Sequence, residues 1–202
     1  MATPPPASPV RRTGDTDLLR EALDAASMGK HAAALELLTS YAKACAKRGD
    51  VAGEGRAYRN MGVVYIDLGH PKKAVDVFEQ GLNIAREQGD RKAEGKALQN
   101  MAVAYEKLGQ YDLSLNLSQQ AEVIAREVGN KRGQGIATEN AAVVLSSLGK
   151  FKKSVDLHEQ AIETAEESGD YVGVEVAQEN LELTRDQWSK YRRAASKAPL
   201  TV

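Results

Sequence analysis

Glycine falls at Gly29, Gly69, Gly109 and Gly149, and a second series falls at Gly49, Gly89, Gly129 and Gly169, each stepping by 40 residues. Glycine is the residue that ends a helix in a left-handed conformation, so the spacing predicts helices stopped at fixed intervals. Gly53 to Leu68 reads as a first helix, Gly69-His70 as the turn and Pro71 to Gln88 as the second, with Pro71 in a first turn where its missing N–H costs nothing. Two helices of this length cannot bury their apolar faces alone. They must stack on neighbouring pairs into a solenoid with a concave inner surface.

The pattern divides the chain into a proline-rich tail over 1–14, a helical array over 15–195 and a flexible C-terminus over 196–202. Within the array the units are 15–50, which diverges, then 53–90, 93–130 and 133–170, and a capping helix over 173–195. Prolines at positions 4, 5, 6 and 9 exclude a helix from the tail, where Thr3-Pro4 and Ser8-Pro9 match proline-directed phosphorylation sites. In the last helix Glu182 stands where Gly62, Ala102 and Ala142 stand, and Arg185 where Tyr65, Tyr105 and Leu145 stand. Charge at positions that otherwise pack predicts a solvated end.

Three stretches, NMGVVYIDLGHPKKAVDVFEQGLNIA, NMAVAYEKLGQYDLSLNLSQQAEVIA and NAAVVLSSLGKFKKSVDLHEQAIETA, cover residues 60–165. With their small residue, aromatic, Leu-Gly and later alanines, they resemble the tetratricopeptide repeat (TPR) family. The 40-residue period and the IARE sequences at 84–87 and 124–127 are similar to the branch of the Partner-of-Inscuteable scaffolds, with kinesin light chain as a cousin. The resemblance implies an all-α, right-handed solenoid of helical hairpins: a divergent first hairpin, three good repeats and a C-terminal cap. Ala74, Ser114 and Ser154, and later Gly81, Ala121 and Ala161, take the small positions where helices approach closely.

At about 100° per residue, Tyr58, Met61, Gly62 and Tyr65 fall on the core side of their helix, and Arg56, Asn60 and Val63 on the other. The same outer register holds Lys96, Asn100 and Val103, then Asn140 and Val143, then Asn180. In relatives that surface is the concave groove, where asparagines hold the main chain of a bound segment. An amide side chain both donates and accepts, so it pairs with a peptide group whatever the sequence. Arg56, Arg59 and Lys96 would select acidic side chains, and Val63, Val103 and Val143 would form an apolar floor. The alternative stays open that the asparagines bond to neighbouring helices as a polar ladder and fix the stacking. The carboxylate-clamp version of the family fits poorly, since Ile136 and Val63 occupy positions where it needs a lysine and an asparagine.

No cofactor and no metal is expected. Cys45 is the only cysteine, and His31, His70 and His158 are never one helical turn apart. Gly53-Glu54-Gly55 and Gly133-Gln134-Gly135 have neither the preceding strand nor the lysine of a phosphate loop, and mark helix starts instead. A net charge of -1 opposes general nucleic-acid binding, and no apolar run reaches the roughly 20 residues of a membrane span. Between Ser154 and Thr184 there are nine acidic residues and no Lys or Arg, whereas Lys43 to Arg59 is basic.

The function expected is a non-enzymatic adaptor, cytoplasmic and monomeric within a hetero-complex, that binds an extended or helical segment, acidic in character, of a protein partner. A second reading is a fixed subunit of a cytoskeletal or ciliary assembly that uses its ends and convex surface. A third is a regulatory TPR domain that senses a small ligand.

Overall fold

The structure, a computed structural model, describes residues 13–197, and nine α-helices account for these. They are α1 (Thr13–Ser27), α2 (His31–Arg48), α3 (Val51–Asp67), α4 (Pro71–Glu87), α5 (Arg91–Lys107), α6 (Tyr111–Glu127), α7 (Lys131–Ser147), α8 (Phe151–Ser168) and α9 (Tyr171–Lys197). The tail's proline-directed sites and the last five residues lie outside the described residues.

All eight periodic glycines have positive φ, between 64° and 71°. At Gly109 the amide donates to Glu106 O at 2.8 Å and the Gln110 amide to Tyr105 O at 2.9 Å, so the last carbonyls of α5 are satisfied by the reversing chain. A Cβ at Gly109 would meet nothing within 4 Å. The demand there is conformational rather than steric. Gly109→Ala is therefore expected to cost about 1–2 kcal/mol in urea unfolding, and Gly109→Asn less.

Helices α3, α5, α7 and α9 each begin two residues before the sequence pattern suggests, and at α3 and α7 the cap lies upstream of the glycine. The Asp50 carboxylate accepts from the Gly53 amide at 2.8 Å, and the Asn130 side chain accepts from the Gly133 amide at 3.1 Å. A Cβ on Gly53 would lie 2.4 Å from Asp50 Oδ2, so glycine here makes room for the cap. At the other end α1 starts at Thr13 and α9 continues to Lys197, past the expected limit of the array.

The chain forms two compact units, residues 1–90 and 91–202. In the first, α1 packs on α2, α2 on α3 and α3 on α4. Ala22, Leu38, Tyr41, Cys45, Met61 and Val64 belong to its buried core. Burial pushes the Cys45 thiol up from its ordinary value, which suits a packing residue and not a nucleophile. In the second unit α5 to α9 pack consecutively, and the first helices of successive repeats also touch, α5 against α7 and α7 against α9.

Positions expected to be small are buried throughout: Ala74, Ser114 and Ser154 are fully enclosed, as are Ala121 and Ala161. The two serines bury a hydroxyl without cost in unmade bonds, since Ser114 donates to Ala102 O and Ser154 to Ala142 O, both at 2.7 Å. At the end of the array Glu182 is exposed and Arg185 reaches back to Glu159 at 2.7 Å, as a solvated cap requires. Tyr191 packs on Phe151 at the start of α8, with ring centroids 5.7 Å apart.

Candidate functional site

Each unit carries part of the outer register. In the first unit Arg56, Arg59, Asn60 and Val63 all stand on α3; the first three are half-buried and Val63 is exposed. Arg56 is partly committed, since its Nη2 donates to the Tyr41 hydroxyl at 3.3 Å and lies 3.8 Å from Asp50 Oδ2. Arg59 has no carboxylate partner among the described residues. Burial, and after it the positive field of Arg56, lowers Arg59 from the ordinary arginine value. A desolvated guanidinium beside a like charge is stabilised by any anion that reaches it.

In the second unit Lys96, Asn100 and Val103 stand on α5, Asn140 and Val143 on α7 and Asn180 on α9. Lys96 is exposed and the other five are half-buried. Two of the asparagines reach back to the preceding repeat. Asn140 Nδ2 donates to Gln99 O at 3.4 Å, and Asn180 Nδ2 donates to Glu139 Oε1 at 2.9 Å. At these two positions the amide nitrogen serves the ladder between α5, α7 and α9, while the amide oxygen stays available to a ligand. Asn60 and Asn100 make no side-chain hydrogen bond among the described residues.

His158, which has no other histidine one helical turn away, is the centre of a buried polar chain. Its ring is fully enclosed, with Nδ1 2.8 Å from Glu139 Oε2 and Nε2 3.2 Å from Thr184 Oγ1. Thr184 donates to Ser146 at 3.0 Å, and Ser146 donates to Gln187 Oε1 at 3.0 Å. A carbonyl oxygen can only accept, so the hydroxyl protons all point toward Gln187 and Nε2–H must donate to Thr184. One proton then lies between Nδ1 and the Glu139 carboxylate. The signal in the sequence was the register: Leu38, Phe78, Ser118 and His158 occupy one core position, and only the last carries a basic group there.

A groove of about 230 Å³ opens between α7 and α9 over the α8 alanines Ala161 and Ala165. Ile136, Asn140 and Val176 line it, and an Arg132–Asp170 ion pair of 2.9 Å closes one end. Among the described residues no group of three or more His, Cys, Asp and Glu side chains could hold a metal ion, and no helix is long and apolar enough to cross a membrane.

Stacked helical hairpins with glycine-punctuated 40-residue units define a helical-repeat scaffold. The tetratricopeptide repeat family model matches residues 16–87 and 94–167, and the chain belongs to that family. No curated protein matches the sequence. Among solved structures the chain is similar to aspartyl phosphate phosphatase F from Bacillus subtilis, with a TM-score of 0.75 at 12% identity over 93% of this chain. It spans about half of that protein, 53% of its length. It is also similar to nearly identical TPR-like repeats from Podosopora anserina that carry the name kinesin light chain, with a TM-score of 0.67 at 17% identity over 90% of each chain. A Rap protein complexed with Competence and Sporulation Factor gives a TM-score of 0.71 at 15% identity, covering 93% of this chain and 61% of that one. Identities this low speak to the fold alone.

Proposed function

We propose that the chain is a non-enzymatic adaptor that holds a segment of a protein partner along the asparagine-bearing face. The observation that carries this reading is Arg59, a half-buried guanidinium next to Arg56 and Asn60 that has no counter-ion among the described residues. A fold selected for stability alone has no use for such a group. An acidic side chain of the partner supplies the missing charge, in a bidentate geometry that a guanidinium suits. Within the same unit the amide of Asn60 then pairs with the partner's main chain beside Val63. That a Rap protein of the same fold has been seen with a bound factor supports a binding role for such a scaffold.

The test uses two labelled nonapeptides, one of alternating Glu and Ser and one with Gln in place of Glu, titrated by fluorescence anisotropy. The acidic peptide is expected to bind at least tenfold more tightly, and Arg59→Gln is expected to erase the difference while unfolding at the same or a higher temperature. Equal binding of both peptides by the unsubstituted chain would refute the assignment of Arg59.

A further inference from the structure

The α7–α9 groove has a chemistry of its own. Its volume of about 230 Å³ exceeds the roughly 150 Å³ of a cavity that holds a benzene ring. Gly135 lines it where α7 lies against α8: a Cβ there would come into ordinary contact with Thr164 Cγ2 at 3.6 Å, so glycine keeps this wall low. Ile136 and Val176 are exposed at its mouth, and Val172 and Leu183 continue an exposed apolar stripe along α9. Residues 172, 176 and 183 share one helix face at the spacing of four and seven.

Charge at this mouth has one sign once the internal pairs are set aside. Arg132 is held by Asp170 at 2.9 Å, Lys131 by Glu167 at 2.6 Å and Arg185 by Glu159 at 2.7 Å. Glu139 is turned inward to His158 and Asn180. What is left on α9 around Val176 is Glu175 and Glu179, both exposed and without an ion pair among the described residues, and no Lys or Arg occurs from Ser154 to Thr184. The surroundings therefore attract a cation while the groove attracts a hydrocarbon.

We propose that the α7–α9 groove receives one bulky apolar side chain of a partner segment whose flanking residues are Lys or Arg. This deepens the reading of the chain as a protein-binding scaffold and rests on it. The apolar side chain covers Ile136, Val176 and the alanines of α8, and the flanking cations lie against Glu175 and Glu179. Specificity comes from the pair of requirements, since neither an apolar side chain between acids nor a basic segment lacking one satisfies both.

The experiment titrates the full ¹⁵N-labelled chain with three acetylated nonapeptides, each built of alternating serines around a central residue. The first has a central Leu and Lys flanks, the second a central Leu and Glu flanks, the third a central Ala and Lys flanks. The first is expected to shift the backbone amides of Gly135, Gly173 and Ala177, with a Kd at least tenfold lower than either of the others at these signals. Ile136→Ser/Val176→Ser and, separately, Glu175→Lys/Glu179→Lys are each expected to weaken it about tenfold, and both change exposed positions, so circular dichroism should be unaltered. Equal affinity of the three peptides at Gly135 and Gly173 would overturn the inference. So would shifts confined to Lys96 and Asn100, which would leave the asparagine face as a binding surface and remove the groove. Silence from all three peptides also overturns it, and partner capture by the asparagine face then decides the broader reading by itself.

Discussion

His158→Ala is expected to destabilise the second unit by about 3–5 kcal/mol, the range for removing one partner of a buried, hydrogen-bonded pair and leaving the other unmet. The ring is fully buried, so its loss leaves a cavity, and it leaves the Glu139 carboxylate with Asn180 as its single side-chain hydrogen-bond partner among the described residues. Thr184 and Asn180 both stand on α9, so the damage falls on the attachment of that helix. Trp188 is the only tryptophan in the chain, is half-buried and lies on α9, so its fluorescence reports this docking directly. Urea should release the Trp188 signal at a lower concentration in the variant. His158→Leu/Glu139→Gln, which borrows Leu38 and Gln99 from the same registers, should recover at least half of the loss because it removes both partners of the buried pair together. A double variant no more stable than His158→Ala would show that the ring acts by volume and not through the carboxylate.

Gly62→Ala is expected to cost about 1–3 kcal/mol by overpacking, although alanine is the better helix former. A Cβ on Gly62 would lie 2.2 Å from Phe78 Cε1 and 2.5 Å from two further ring carbons, and Phe78 is itself enclosed at 1% exposure. The ring has nowhere to go. Other repeats solve the same register with the opposite sizes: Ala22 with Leu38, Ala102 with Ser118, Ala142 with His158. Phe78→Leu alone should leave a void, and Gly62→Ala/Phe78→Leu, which recreates the first hairpin's pair, should recover most of both losses. A double-mutant cycle with a coupling below about 0.5 kcal/mol would mean that the two positions are independent.

Much of the fold was legible because glycine placement depends on backbone conformation, which the sequence encodes residue by residue. The positive φ at Gly29 to Gly169 needed no knowledge of tertiary contacts. Cap positions were less legible: Asp50 and Asn130 are common surface residues, and only their hydrogen bonds to Gly53 and Gly133 distinguish them. The candidate site was half visible. Periodicity placed Asn60, Asn100, Asn140 and Asn180 in one register, but periodicity does not say where an amide proton points, and at Asn140 and Asn180 it points to the preceding repeat. Nor could spacing reveal that Arg56 has an intramolecular partner while Arg59 has no carboxylate partner among the described residues, since the two are three residues apart on the same helix. The His158 chain draws on α7, α8 and α9, so it becomes visible only when three helices are assembled.

Arg56→Glu would disturb Tyr41 and Asp50 as well as any ligand, so the cleaner variant for the binding face is Arg59→Gln/Asn60→Ala, with both positions on α3. Glutamine already occupies the Arg59 register at Gln99, and neither side chain holds the fold together by a hydrogen bond among the described residues. The most direct measurement compares, by quantitative mass spectrometry, the proteins retained by the immobilised unsubstituted chain and by this double variant at equal folded amounts. The account predicts a partner held in near-stoichiometric amount by the unsubstituted chain and lost at least tenfold from the variant. Equal retention by both would contradict the assignment of this face as the binding surface.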